Sequence, residues 1–151
     1  MKTIQHFVGG KIFSGESKRV GKVFNPATGE QSAEVKLATT KDVNDAVANA
    51  KKAFSSWSNK PPLQRARVMF KFKDLIEKNS DELTKIIVSE HGKVYEDAKG
   101  SLTRGLEVVE YACGIPQMLK GEFTENVGSD VDSWSIRQPL GVCAGITPFN
   151  F

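Results

Sequence analysis

The spacing of apolar positions changes twice along this chain, from a period of two to a helical period and back again. Short alternating segments fill the first third. Apolar pairs on either side of Gly9-Gly10 predict a hairpin, because glycine tolerates positive φ at both turn positions. A second pair of strands is predicted over 20–24 and 31–35, joined by the turn sequence N-P-A-T-G-E at 25–30. The chain is therefore expected to begin with β structure.

A helical period starts near residue 39. Thr39 or Thr40 is the predicted N-cap of a first helix, with Asp42 in its first turn. A second helix is predicted to start at Pro61-Pro62, and a third to run from Ser80 to about Gly92. The apolar positions of the three helices are Val43, Ala46, Val47, Ala50, Phe54, Trp57, Leu63, Ala66, Met69, Phe70, Leu75, Ile76, Leu83, Ile86 and Ile87. We interpret these faces as core.

A fourth helix is predicted from about Val94 to about Met118. Its main apolar stripe contains Ala98, Leu102, Leu106, Val109 and Cys113, and its second face contains Asp97, Gly100, Ser101, Arg104, Val108 and Tyr111. The small residues of that second face leave room for a ligand beside Arg104, whose planar guanidinium can bind a carboxylate through two hydrogen bonds. Spacing alone favours the alternative, a solvated Arg104 paired with Glu107.

Alternation returns after residue 121. Strands are predicted over 123–127 and 133–137, with Trp134 and Ile136 on one face. The run that follows, from Val142 to Ile146, predicts a buried strand that ends in a turn. Ligands of open α/β sheets bind at the carboxyl ends of strands, so this turn is a candidate site.

Asn150 is the strongly polar side chain of that turn. Its amide can donate a hydrogen bond to a developing oxyanion without changing protonation state. The alternative is that Asn150 only caps a following helix.

Composition narrows the class of protein. The chain has 151 residues and a net charge of +3, and its lysines are scattered, which argues against a nucleic-acid surface. No stretch is long and apolar enough to span a membrane, and the start of the chain leaves no room for a signal peptide.

The cysteines and histidines complete this picture. Two cysteines indicate a reducing compartment, so we expect a cytoplasmic protein. Cys143, among apolar neighbours, and Cys113, in a helical pattern, are expected to be buried and unreactive. His6 and His91 have no metal-ligand spacing, and no metal site is expected.

Four strings carry a resemblance to the aldehyde dehydrogenase family. They are N-P-A-T-G-E at 25–30, E-H-G-K at 90–93, T-R-G-L-E-V-V-E-Y-A-C at 103–113 and G-V-C-A-G-I-T-P-F-N-F at 141–151. The last string resembles the first cofactor-domain strand of the family, in which P-W-N-F is usual. Phenylalanine in place of that tryptophan is similar to the coenzyme A-acylating methylmalonate-semialdehyde branch. The resemblance covers essentially the whole chain.

The resemblance implies an α/β fold that forms the N-terminal part of a longer enzyme. Its components would be β-hairpins, about four helices, a bridging hairpin and the first strand of a Rossmann-like cofactor domain. The corresponding units are residues 1–120, a bridging hairpin used for subunit association over 121–138, and the start of the NAD-binding domain over 139–151. A homo-oligomer, either tetramer or dimer, is implied, and so is a small-molecule semialdehyde substrate.

The resemblance also implies an oxidoreductase that uses NAD and coenzyme A to convert methylmalonate or malonate semialdehyde to propionyl-CoA or acetyl-CoA with release of CO2. In it, Arg104 would hold the substrate carboxylate and Asn150 would donate to the oxyanion. The cofactor pocket would be lined by Ile146, Thr147, Pro148 and Phe149. The family's nucleophilic cysteine belongs downstream of Phe151, so the chain alone is expected to be inactive. Two alternatives remain, a hydrolytic aldehyde dehydrogenase that does not use coenzyme A and a non-catalytic association module.

Overall fold

The computed structural model describes residues 1–148 and contains seven strands and five helices in that range. In chain order they are β1 Lys2–Ile4, β2 His6–Val8, β3 Lys11–Phe13, β4 Val20–Phe24, β5 Gln31–Lys36, α1 Thr40–Ser58, α2 Pro62–Lys78, α3 Ser80–His91, α4 Tyr95–Cys113, α5 Ile115–Met118, β6 Phe123–Gly128 and β7 Val131–Trp134.

The N-terminal strands form two small sheets. In the first, β5 lies between β4, its antiparallel hairpin partner, and β1, which pairs with it in parallel from Lys2 opposite Ala33. The predicted 20–35 hairpin is confirmed, and its turn closes where the Asn25 side chain accepts a hydrogen bond from the Ala27 N–H at 2.9 Å. The parallel pairing of β1 was not predicted, because no local turn joins the two strands.

The predicted hairpin at Gly9-Gly10 is also confirmed. It joins β2 and β3, which pair from His6 opposite Phe13 to Val8 opposite Lys11. Both turn glycines have positive φ, at 60° and 78°, where a residue with a β-carbon is disfavoured.

The first helix starts as its sequence dictates, with Thr39 rather than Thr40 as the N-cap. The Thr39 hydroxyl accepts from the Asp42 N–H at 3.1 Å, and the Asp42 carboxylate accepts from the Thr39 N–H at 2.8 Å. This reciprocal capping box satisfies donors that have no partner inside the helix.

The third helix ends on Gly92, which is left-handed with φ of 79° and donates to the Val88 carbonyl at 2.8 Å. The same glycine touches the turn between β4 and β5, since a β-carbon at residue 92 would lie 2.9 Å from Cγ of Pro26. The end of α3 and the turn between β4 and β5 therefore meet at a position where there is no room for a side chain.

The prediction of one helix from Val94 to Met118 is wrong. Helix α4 ends at Cys113, and the chain continues after Gly114 as the four-residue helix α5. Pro116 explains the break, because proline has no N–H to donate and its ring clashes with the preceding turn in a helix interior. The Gly114 N–H bonds to the Tyr111 carbonyl at 3.0 Å, which tightens the last turn of α4.

The predicted bridging hairpin forms, but its second strand both starts and ends earlier than the predicted 133–137, so that Ile136 lies outside it. Strand β7 begins at Val131, and a turn at Ser129 and Asp130 joins it to β6. The sequence predicts a longer loop, over residues 128–132. Asp132 is instead accommodated in the strand because its carboxylate accepts from the Asn126 N–H at 3.0 Å.

The predicted buried strand after Gln138 is not present over residues 139–148. This segment has no strand hydrogen bonds, Leu140 and Ile146 are 95% and 98% exposed, and Cys143 is exposed where it was expected to be buried. A parallel strand needs partners along its edges, and no described strand pairs with this one. Phe149 and Asn150 lie outside the described residues.

The helical core lies where α2 and α3 pack against α4. Its fully or nearly buried side chains are Ala66, Ile76, Thr84, Ala98, Val109 and Cys113, which confirms the predicted apolar stripe of α4 and the burial of Cys113. Among the helices of residues 1–148, none is both long and apolar enough to cross a membrane.

Candidate carboxylate-binding site

Helix α4 is fixed against α3 at its first residue. The Tyr95 hydroxyl donates to the Asp81 carboxylate at 2.9 Å, and Lys85 binds the other oxygen of that carboxylate at 2.6 Å. The bond from Lys85, followed by that from Tyr95, lowers the pKa of Asp81, and the pKa of Tyr95 is raised mainly by its bond to Asp81. The ionised acid and the protonated phenol therefore hold the first turn of α4 in place.

Helix α4 is also fixed against α2. Lys73 on α2 pairs with Glu77 on its own helix at 2.5 Å and with Glu110 on α4 at 3.4 Å. Both carboxylates raise the pKa of Lys73, Glu77 more than Glu110. Ala98 is fully buried on the inner side of α4. The second face of α4, which carries Arg104, therefore points away from the core.

That second face lines a polar pocket of about 220 Å³. Its residues are Lys93, Glu96, Asp97, Gly100, Ser101 and Arg104. Four of them, Asp97, Gly100, Ser101 and Arg104, recur at helical spacing on α4. The structure thus brings four residues of the predicted Arg104 face together as a concave surface, whereas Val108 and Tyr111 are exposed and do not line it.

Lys93 was not predicted as part of this site. Its ammonium donates to the Ser101 hydroxyl at 3.0 Å, and Ser101 donates in turn to the Asp97 carbonyl at 3.1 Å. From the sequence alone, Lys93 is most simply a partner of Glu90 at a helix end. The sequence signal was present in E-H-G-K, because a lysine directly after a C-cap glycine leaves the helix and can reach the next element.

The pocket combines two cations with two carboxylates. Lys93 and Arg104 offer hydrogen-bond donors with positive charge, and Glu96 and Asp97 occupy the first turn of α4, where acids are favoured by the helix dipole. A small anion could be bound by Arg104 in two-pronged geometry. The volume suits a molecule of a few carbon atoms.

Three of the other predicted site residues, Ile146, Thr147 and Pro148, do not line this pocket. All three are exposed, and Phe149 and Asn150 lie outside the described residues. The nearby Val142 and Cys143 lie instead beside Phe54 and Trp57 of α1.

Other concave surfaces carry less chemistry. A cavity of about 550 Å³ is formed by one side of α2 around Val68, Phe72 and Leu75 and has almost no polar lining. No group of three or more metal-binding side chains occurs in the described part of the chain.

Comparison with known proteins identifies the class. Residues 12–151 match the aldehyde dehydrogenase family model, and the chain belongs to this family.

Its similar relatives point within the family to one branch. The chain is 49% identical to malonate-semialdehyde dehydrogenase of Pseudomonas aeruginosa, covering all of this chain and 30% of that protein. It is 47% identical to the acylating mitochondrial methylmalonate-semialdehyde dehydrogenase of Arabidopsis thaliana, covering 98% of this chain and 24% of the relative. The chain thus spans about 30% or less of the length of these curated relatives.

Solved structures agree in fold. The methylmalonate-semialdehyde dehydrogenase of Oceanimonas doudoroffii is 54% identical with a TM-score of 0.93, over 99% of this chain and 30% of its own. A Sinorhizobium meliloti protein described as methylmalonate-semialdehyde dehydrogenase, complexed with NAD, is 50% identical with a TM-score of 0.95, over 100% of this chain and 31% of its own. The predicted family and α/β fold class are confirmed.

Proposed function

We propose that this chain is the N-terminal part of an NAD-dependent, coenzyme A-acylating malonate- or methylmalonate-semialdehyde dehydrogenase. The complete enzyme would oxidise the semialdehyde and release acetyl-CoA or propionyl-CoA and CO2. The observation that carries the proposal is the pocket of about 220 Å³ containing Arg104. Relatives with these substrate names support the choice of branch.

Arg104 is the proposed carboxylate-binding residue. It lies one turn after Gly100 and Ser101, small residues that leave the guanidinium accessible from the pocket. A hydrolytic enzyme for simple aldehydes would have no need of a cation there.

NAD would bind along the segment that follows Gln138. Ile146, Thr147 and Pro148 are exposed, so their side chains can form the wall of a cofactor site together with Phe149. When bound, NAD supplies the hydride acceptor of the reaction. Asn150 is the proposed oxyanion donor.

The bridging hairpin is the proposed contribution to a homo-oligomer, tetramer or dimer. Phe123 and Trp134, which face each other across the hairpin, are 66% and 67% exposed, and aromatic side chains of this kind are enriched in interfaces. A cytoplasmic location and a role for coenzyme A complete the proposal.

The test is Arg104→Leu in the full-length protein. Removing one partner of a desolvated charge pair costs about 2–5 kcal/mol, so kcat/KM for malonate semialdehyde should fall by about 30-fold to several thousand-fold. Propanal, which lacks the carboxylate, should be oxidised almost as well as by the parent enzyme.

Arg67→Leu is the matched control, because Arg67 is an exposed arginine on α2 outside the polar pocket. Equal losses on both aldehydes in Arg104→Leu would show that Arg104 supports the fold and does not recognise the acid. Product analysis separates the alternatives, since a free acid formed without coenzyme A indicates a hydrolytic enzyme, and no turnover of any aldehyde indicates an association module.

A further inference from the structure

The polar pocket has a second cation that does not belong to the helix carrying Arg104. Lys93 lies in the link between α3 and α4, and its side chain is partly buried. Its ammonium reaches across to Ser101 at 3.0 Å. This hydrogen bond joins the link to the part of the second face of α4 that carries Arg104.

The net charge of the polar pocket depends on Lys93, and this charge affects which ligands the pocket can bind. With Lys93, the pocket holds two positive and two negative side chains and is formally neutral. Without Lys93, Glu96 and Asp97 would outnumber Arg104 and the pocket would be formally −1. An anion would then have to approach a net negative surface, with only partial compensation by Arg104.

The Lys93 side chain also lies between two neighbouring cavities. Lys93 and Ser101 line both the polar pocket and an adjoining apolar cavity of about 370 Å³, whose other walls include Phe72, Ile87 and Leu106. Their hydrogen bond lies at the boundary that the two cavities share. A small molecule bound beside Arg104 would have this contact between it and the apolar cavity.

We propose that Lys93 is a positioning and specificity-determining residue, which neutralises the acids of the Arg104 pocket and confines a short carboxylate-bearing aldehyde to it through Ser101. This inference rests on the proposed function of Arg104 and adds a second residue to it. The ligand class is a carboxylate on a chain of a few carbon atoms.

The experiment is Lys93→Met in the full-length protein, measured with malonate semialdehyde, with propanal and with malonate as a competitive inhibitor. Loss of one charge at short range in a partly buried pocket should raise KM for the semialdehyde and Ki for malonate by about ten- to thirtyfold. KM for propanal and kcat for both aldehydes should change less than about twofold. Lys93→Arg keeps the charge and should restore KM to within about threefold of the parent.

The control is Lys99→Met, which removes an exposed lysine of α4 outside the pocket and should leave all three constants unchanged. The inference is overturned if Lys93→Met leaves malonate binding unaltered, or if it impairs both aldehydes equally, as loss of a purely structural lysine would. If Arg104→Leu is selective for the acid and Lys93→Met is not, only this inference fails. If Arg104→Leu is itself unselective, the proposed function fails.

Discussion

The Asp42 carboxylate accepts three hydrogen bonds at the place where the N-terminal strands meet the helices. The carboxylate receives the Thr39 N–H at 2.8 Å, the Thr39 hydroxyl at 2.7 Å and, from outside the helix, the Glu16 N–H at 3.3 Å. The bonds from Thr39 are the largest cause of a lowered pKa of Asp42. The residue is almost fully buried, so the strand-to-helix junction depends on its charge.

A pH dependence follows from this lowered pKa. A group whose pKa is lower when folded contributes stability above its unfolded pKa, here about 3.9, and loses it as the pH falls through the folded value. Asp42→Asn should therefore destabilise the chain most at about pH 7 and least at about pH 3, in urea unfolding. Asp45→Asn, at an exposed ion pair one turn later, is the control with a smaller effect. A destabilisation by Asp42→Asn that is constant with pH would contradict the assignment.

Single residues differ in how far the sequence predicts them. Thr39 and Asp42 were predictable because capping depends on neighbours along the chain. Spacing alone favoured a solvated Arg104, and only the resemblance to a family indicated a binding role for it. Lys93 was missed because its partner, Ser101, lies eight residues away on another element. Contacts of this kind appear only once the packing is known.

At the scale of elements, helix starts were predictable, whereas core faces were predicted only in part, because Val43, Leu63 and Ile86 were interpreted as core and are exposed. The apolar stripe of α4 was correct because burial enforces a helical period. The predicted end of α4 was wrong because Pro116 interrupts the helix, although the apolar spacing continues past it. The earlier start of β7 has another cause. Strands disfavour aspartate, but the Asp132 carboxylate accepts a hydrogen bond from the Asn126 N–H, and this bond stabilises Asp132 within the strand.

Two glycines of α4 allow a matched test of the polar pocket. A β-carbon at Gly100 or at Gly105 would meet no atom within 4 Å, so alanine at either position should stabilise the helix by about 0.5–1 kcal/mol. Only Gly100 lines the polar pocket, and Gly105 lines the apolar cavity. Gly100→Ala alone should therefore raise KM for malonate semialdehyde, while thermal unfolding shifts upward in both variants. The same KM in both variants would argue against a substrate in the polar pocket.

At the scale of the whole molecule, many large apolar side chains of the described range are exposed, including those of Leu140 and Ile146. The sequence predicted a buried strand over 142–146 because its composition is that of a central parallel strand. Composition reports what a segment is suited to, whereas burial depends on neighbouring strands, and no described strand supplies them. The chain spans about 30% of its relatives' length, so we expect these side chains to be covered in the complete enzyme.

The 151-residue chain alone is predicted to have no dehydrogenase activity. Cys113 is buried in the helical core and Cys143 has no described cationic or imidazole partner, its sulfur bonding only weakly to the Gly141 carbonyl at 3.7 Å. Neither environment activates a thiolate. Incubation with NAD, coenzyme A and malonate semialdehyde should give no NADH above a blank without protein. Turnover that disappears in Cys143→Ser would refute this expectation.

The contact between Gly92 and Pro26 has a consequence in evolutionary terms. A side chain at residue 92 would need both a disfavoured backbone and the space that the proline ring fills at 2.9 Å. Residue 92 also directly precedes Lys93, so a displaced turn at 25–30 would move the lysine of the polar pocket. The N-P-A-T-G-E and E-H-G-K strings, far apart along the chain, meet at this contact, so we expect a side chain at residue 92 to require a smaller residue at position 26 as well.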